Sequence, residues 1–170
     1  MKDSIGYDAI AGSYDELYRE EQTQKLKLIS EFVHLNQEDL LLDVGCGTGL
    51  SSSLFNCRKV GLDESLDMLQ NAEDTDLMRV CGKAEHLPFL DNAFDCVISL
   101  TAVHNFTNQL KAIKEMKRVS KRLVILSILK RSIKYLAILE IAKLILKGAK
   151  ELDTAKDTVM IFYNKPIEKQ

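Results

Sequence analysis

Three glycines and two aspartates stand at spacings that suit a nucleoside ligand. The segment Leu41-Leu42-Asp43-Val44-Gly45-Cys46-Gly47-Thr48-Gly49 puts Gly45, Gly47 and Gly49 at alternate positions behind a short apolar run. Lacking Cβ atoms, such residues let the backbone turn sharply and approach a ligand closely. Asp63 comes about 18 residues after Gly45, at the end of Val60-Gly61-Leu62-Asp63, where a carboxylate can accept hydrogen bonds from both hydroxyls of a ribose. The glycine spacing is GxGxG, whereas the dinucleotide fingerprint is GxGxxG. Asp43, two residues before the first glycine, repels a pyrophosphate and attracts an α-ammonium with a sulfonium beside it. The charge pattern therefore selects a zwitterionic, phosphate-free nucleoside, S-adenosylmethionine, over a nicotinamide dinucleotide.

Residues that bind through backbone turns need rigid elements behind them. Asp39 to Val44 is a short apolar run that suits a strand buried on both faces, with a helix expected over residues 48–55. The alternation then repeats. Strands are expected at Arg58 to Leu62, Leu77 to Cys81, Phe94 to Leu100 and Arg122 to Leu129, with helices at Ser65 to Ala72, Asn108 to Val119 and Ser132 to Lys147. Thr158 to Tyr163, β-branched and aromatic, reads as the last strand. Apolar residues at helical spacing, Tyr7 to Tyr18 and then Leu26 to Val33, predict two N-terminal helices. The expected class is α/β: a Rossmann-like three-layer αβα sandwich around a mostly parallel sheet of about six to seven strands. Its C-terminal edge strand should be antiparallel. One domain over residues 1–170 is expected, with N-terminal helices (1–36), a cofactor-binding core (39–129) and a C-terminal helix and strand (130–170).

Composition bounds the partners. A net charge of −2 over 170 residues argues against general polyanion binding, so DNA is not expected. Cys46, Cys57, Cys81 and Cys96 are widely spaced without a CxxC pair, which suits reduced thiols rather than a disulfide framework or a zinc site. The acidic N-terminus carries no long apolar run, and the stretch Ile133 to Leu146 is interrupted by Lys134, Glu140 and Lys143. A cytoplasmic protein is expected.

Several segments together resemble a known family. Leu42 to Gly49 resembles motif I of the Rossmann-like, class I S-adenosylmethionine-dependent methyltransferases, and Gly61-Leu62-Asp63-Glu64-Ser65 through Met68-Leu69 resembles their motif II. The run Gly82-Lys83-Ala84-Glu85-His86-Leu87-Pro88-Phe89, with Asp91 and Phe94-Asp95 behind it, is similar to a motif of the type 11 methyltransferases. That group includes the ubiquinone and menaquinone biosynthesis methyltransferases. Tyr7-Asp8-Ala9-Ile10-Ala11 and Tyr14-Asp15 resemble the family's N-terminal helix, which folds over the cofactor. The resemblance implies that Asp43, Gly45, Cys46, Gly47 and Gly49 surround the methionine part and that Asp63 holds the ribose. It places Ala84 and Glu85 at the adenine, Leu62 and Leu100 as apolar walls, and Tyr7, Tyr14 and Met68 against the cofactor. Lys83 stands where the family usually has an acidic acceptor for the adenine amino group, and a lysine cannot accept that bond. Either Glu85 or a backbone carbonyl substitutes, or cofactor affinity is lower. The family's Pro-Gly-Gly turn is replaced by Ser120-Lys121-Arg122, and one edge element near the C-terminus is lost or reduced to the region of Lys150 to Thr154.

Methyl transfer from a sulfonium needs alignment and water exclusion, and a base only when the acceptor is protonated. Candidates stand just past the fourth strand, where His104 is the titratable group and Asn105 could orient an acceptor. Carboxylates suited to magnesium are missing from that stretch, so no metal is expected. The acceptor itself is not legible, and small-molecule or lipid-like acceptors are favoured by the resemblance. Two alternatives stand beside this reading: a tRNA or translation-factor methyltransferase completed by a small activator subunit, and a non-catalytic cofactor-binding subunit. The Ser132 to Lys147 helix should set Ile133, Ala137, Ile138, Ile141, Leu144 and Ile145 against the sheet, within an apolar arc of about 240°. That excess, over residues 132–148, suits a second copy, a small protein partner or, with its lysines, a membrane surface.

Overall fold

A computed structural model of the chain describes residues 22–53, 55–72 and 76–164. Tyr7, Tyr14 and the first predicted helix lie outside the described residues. Contacts divide the chain into two units, one ending at His34 and the other beginning at Leu35. In the first, residues 22–30 form helix α1, with Leu26 and Ile29 buried along one side and Val33 just beyond it.

The second unit carries the sheet. Its strands are β1 (Leu40–Val44), β2 (Arg58–Asp63), β3 (Leu77–Cys81), β4 (Phe94–Leu100), β5 (Ser120–Leu129), β6 (Lys150–Asp153) and β7 (Asp157–Tyr163). They lie in the order β3-β2-β1-β4-β5-β7-β6. The first five are parallel, and β7 runs antiparallel to both β5 and β6. The final strand is antiparallel as expected, but the outermost place belongs to β6, a short, charged and largely exposed strand. The edge element is thus present in Lys150–Asp153, and the sheet reaches seven strands. Chain order reverses between β1 and β4, which opens a crevice at their carboxyl ends, the usual ligand position in such sheets.

Capping residues fix the helices on this sheet. Ser65 accepts the Met68 N–H (3.3 Å) at the start of α2 (Leu66–Gln70), and Asn108 accepts the Lys111 N–H (3.0 Å) at the start of α3 (Gln109–Val119). Helix α3 buries Ala112, Ile113, Met116 and Val119 completely, and the larger three contribute about 1.5–3 kcal/mol each. It passes into β5 without a turn residue, so β5 starts at Ser120, two residues earlier than expected. A bulge follows: Phe94 faces Ser120 but Cys96 faces Leu123, leaving one extra residue on β5.

Two expectations fail here. The described residues among 48–55 form turns, not a helix. Gly49 is left-handed (φ 83°), so a helix could begin only at Leu50, and β2 already starts at Arg58. The Ser52 and Ser53 hydroxyls bond the Gly49 and Leu50 carbonyls (3.1 and 2.8 Å), a local competition that serines offer to regular helix. The last helix, α4 (Tyr135–Ile145), is rotated from the predicted face. Ile138, Ala142 and Leu146 are buried, whereas Ile133, Leu136, Ala137 and Leu144 are exposed. The Tyr135 hydroxyl bonds Thr158 Oγ1 (2.8 Å), and Lys117 Nζ donates to the Ile145 carbonyl (2.8 Å). These two ties decide which side meets the sheet. No described helix is long and apolar enough to cross a membrane.

Candidate functional site

The glycine loop after β1 is built from left-handed backbone. Gly45, Gly47 and Gly49 have φ of 74°, 55° and 83°. A Cβ on Gly45 would lie 2.7 Å from Ala102 Cβ and 3.2 Å from the Phe106 ring, and one on Gly47 would press on the Met68 methyl at 3.3 Å. The loop therefore nests against the segment after β4 and under α2 with no room for side chains. Its amides are also fastened: Gly45 N–H and Cys46 N–H donate to the Leu62 carbonyl (2.7 and 3.2 Å).

Asp63 joins the loop to the end of β2. Its Oδ2 accepts the Gly47 N–H (2.8 Å) and its Oδ1 accepts the Ser65 N–H (2.9 Å). Each carboxylate oxygen keeps a further lone pair, so two hydroxyls can still be received. Asp43 is only 1% exposed, and its Oδ2 has no hydrogen-bond partner among the described residues. Burial pushes its carboxyl up to about 7, the Ser52 hydroxyl pulls it down, and the neighbouring Asp63 raises it. A buried acid with an unused acceptor oxygen is a receptor for a cationic donor.

The remaining predicted residues separate. Met68 lies over Gly47. Leu62 and Ala84 are buried with their side chains in the main core, so Leu62 serves the loop through its carbonyl. Leu100 is buried at the end of β4. The Cys46 side chain is buried with Leu69 and Leu77, its Sγ 2.7 Å from where a Gly61 Cβ would stand. Gly61 leaves the space that lets this thiol turn inward, so only the Cys46 backbone can meet a ligand. Glu85 is tied to a helix. Its Oε1 accepts the Asn108 N–H (2.9 Å) at the start of α3. Burial acts to raise this carboxyl, but backbone N–H groups of Asn108, Glu85 and Thr107, with Lys83 nearby, leave it below its ordinary value. The carboxylate is thus engaged with the helix start, and like Asp63 it keeps lone pairs that can accept further.

The Gly82 to Asp91 run is held from α3. Glu115 accepts the Leu87 N–H (3.0 Å), and Arg118 donates to the Leu87 and Phe89 carbonyls (3.1 and 2.9 Å) and to Asp91 (2.7 Å). The Arg118–Glu115 pair (2.7 Å) closes the clamp. Glu115 and Arg118 thus fasten this loop to α3.

Beyond β4, the 3-10 turn Val103–Asn105 carries His104 half-buried and Asn105 exposed. His104 Nδ1 is buried without a partner among the described residues, and Lys134 Nζ donates to the His104 carbonyl (3.1 Å). Burial first, then Lys134 and Arg131, lower the His104 pKa from its ordinary value, with Asp157 opposing them. Three further residues shape the site without having been singled out by sequence: Ser52 beside Asp43, Phe106 against Gly45, and Thr101. Thr101 is left-handed at φ 58°, a conformation costing about 1–3 kcal/mol for a β-branched residue. Its N–H is held by Ser127 Oγ (2.7 Å). Ser52 alone of the three stands beside the glycine motif in the sequence; Phe106 and Thr101 are brought there by the fold. Among the described residues no group of three His, Cys, Asp or Glu side chains could hold a metal ion.

A seven-stranded sheet with its glycine loop and paired aspartates at the switch point is an α/β domain of the Rossmann-like methyltransferase kind. Comparison with known proteins agrees: residues 42–128 match the family described as "Methyltransferase domain", and the chain belongs to that family. It is 34% identical over 125 residues to the malonyl-[acyl-carrier protein] O-methyltransferase of Marinomonas sp., covering 68% of this chain and 46% of that protein. It is 32% identical over 136 residues to the demethylmenaquinone methyltransferase of Thermotoga maritima, covering 72% and 59%. Among solved structures it is similar in fold to a complex between the Haloferax volcanii Trm112 methyltransferase activator and a methyltransferase (TM-score 0.67, 18% identity, 95% of this chain and 99% of that one). The chain spans about half the length of the first curated relatives it matches.

Proposed function

We propose that this chain binds S-adenosylmethionine and transfers its methyl group to an acceptor. The observation that carries the reading is Asp43: a buried carboxylate with an unpartnered oxygen, behind a loop where added Cβ atoms would collide. The residues fit the cofactor. Asp43 would receive the α-ammonium, Asp63 the ribose hydroxyls, and the Gly45 to Gly49 backbone the methionine portion, with Met68 above and Leu100 beneath. The bound cofactor would supply an electrophilic methyl on a sulfonium. The chain's own part is then to align the acceptor and keep water out, with His104 taking a proton where the acceptor carries one and Asn105 orienting it. The adenine amino group would be received by Glu85 or by a backbone carbonyl. Tyr7 and Tyr14 are proposed to cover the cofactor. A cytoplasmic, single-domain chain of 1–170 is part of the same reading.

Small-molecule or lipid-like acceptors are favoured, since related proteins carry names of quinone and acyl-carrier methyltransferases. A second reading, completion by a small activator subunit or a second copy, draws on the exposed Ile133, Leu136 and Leu144 along α4. Calorimetry with S-adenosylmethionine and its demethylated product is the test, together with label transfer from tritiated cofactor into cell extract. Binding and transfer that both vanish in Asp43→Ala are expected. Binding without transfer supports a cofactor-binding subunit instead, and no heat with either compound removes the proposal.

A further inference from the structure

Charge is unevenly placed along this chain. Residues 109–150, which span α3, β5 and α4, hold twelve lysines and arginines but two acids, Glu115 and Glu140. The other 11 cations stand among the other 23 acids, so a net charge of −2 hides a basic side. Helices α3 and α4 lie together on one face of the sheet. Ile113 and Met116 share a core with Ile138 and Leu146, and Lys117 Nζ reaches the Ile145 carbonyl (2.8 Å). Part of the charge is neutralised: Arg118 pairs with Glu115 and Asp91, Lys130 with Asp153, and Lys143 with Glu151. Lys111, Lys114, Arg131, Lys134 and Lys147 are exposed. Lys111 meets His86 and Lys134 meets the His104 carbonyl, neither of them an anion.

Aliphatic side chains stand among these cations. Ile138, Ala142 and Leu146, spaced by four, turn inward. Leu136, Glu140 and Leu144, also spaced by four, line the opposite side of α4, with Ile133 just ahead of the helix. Ile133 is fully exposed, Leu136 71% and Leu144 63%. We propose that the α3–α4 side docks on an anionic lipid surface, its aliphatics sunk beneath the headgroups and its lysines reaching the phosphates. Charge complementarity favours this partner. A nucleic acid would use the cations and leave the three aliphatics in water. A second copy docked through the same face would set the same cations against them. A bilayer surface takes both, because basic side chains extend to the headgroups while an amphipathic helix lies in the interface. The start of α4 adjoins the turn after β4, where Lys134 holds the His104 carbonyl. Docking would therefore bring lipid beside the acceptor side, a consequence that rests on the methyl-transfer reading and suits a lipid-like acceptor.

Flotation with vesicles of phosphatidylcholine, alone or mixed with phosphatidylglycerol, tests the docking without cofactor. The chain should float with the mixed vesicles, not with phosphatidylcholine alone, and binding should fall as salt rises. Arg131→Glu with Lys147→Glu should weaken it at least about 25-fold, from about fivefold for each cation lost. Ile133→Ser with Leu144→Ser should weaken it about tenfold or more, with thermal unfolding little changed because both side chains already meet water. Equal flotation with neutral vesicles, flotation with neither, or full binding by the serine variant overturns the proposal. A sedimenting dimer that the serine variant breaks also overturns it and assigns the face to a second copy. Cofactor calorimetry on the same preparations is separate: no heat with vesicle binding intact removes the methyl-transfer reading and leaves the docking.

Discussion

Replacing Asp43 by asparagine tests the electrostatic core of the site. In the ligand-free chain, burial lifts this carboxyl from 3.8 to about 7. A folded value above the unfolded one means that the folded state holds the proton across that window. Stability contributed by the protonated acid is therefore full below about pH 4 and is lost as pH rises toward about 7. A shift of about three units corresponds to at most about 4 kcal/mol, and relaxation around the ionised group will reduce it. The asparagine variant has no such dependence. Urea unfolding of both proteins across this range should give curves that diverge, the wild type weakening relative to the variant toward neutral pH. Cofactor binding adds a second readout. Pairing with an ammonium favours the carboxylate, so binding near pH 7 should release protons from the wild type, measurable by calorimetry in buffers of different ionisation enthalpy. The variant should release fewer. Parallel unfolding curves, with equal proton release, would refute the argument.

Other expectations follow from packing. Gly45→Ala drives a Cβ to 2.7 Å from Ala102 and strains a left-handed residue, so a loss of about 1–3 kcal/mol in unfolding and of cofactor binding is expected. Gly61→Ala should be as harmful because it meets the Cys46 thiol at the same distance, and adding Cys46→Ala should restore much of the stability. Independent, additive effects would show that the thiol does not point inward. Iodoacetamide on the native protein should label the exposed Cys81 and spare Cys46 and Cys96, whose thiols burial pushes well above the usual range. Rapid labelling of Cys46 would contradict its placement. Arg118→Met should free the Gly82 to Asp91 segment, seen as faster amide exchange at Leu87, while leaving the sheet intact.

Local chemistry made the cofactor end of the fold legible. Glycine is the residue that tolerates the left-handed turns found at 45, 47 and 49, and strands such as Phe94 to Leu100 announce burial on both faces through mostly apolar runs. Asp43 and Asp63 are placed by strand ends, so their roles follow from spacing. What sequence could not settle depends on neighbours far along the chain. Glu85 was engaged by the start of α3, Cys46 was turned inward by the gap at Gly61, and the face of α4 was chosen by Tyr135 meeting Thr158. The helix over 48–55 failed because a left-handed Gly49 and an early β2 left too little chain.

Sequence by itself determined the succession of the five parallel strands and the charge that a ligand must complement, because both are written in periodicity and residue type. Tertiary structure alone decided which polar groups remain available and which are already bonded. Nothing in the linear chain shows that Asp157, more than fifty residues beyond His104, returns on an antiparallel strand to the same sheet end. Hydrogen bonding and burial are properties of that return, and they set the acidity and orientation on which chemistry depends.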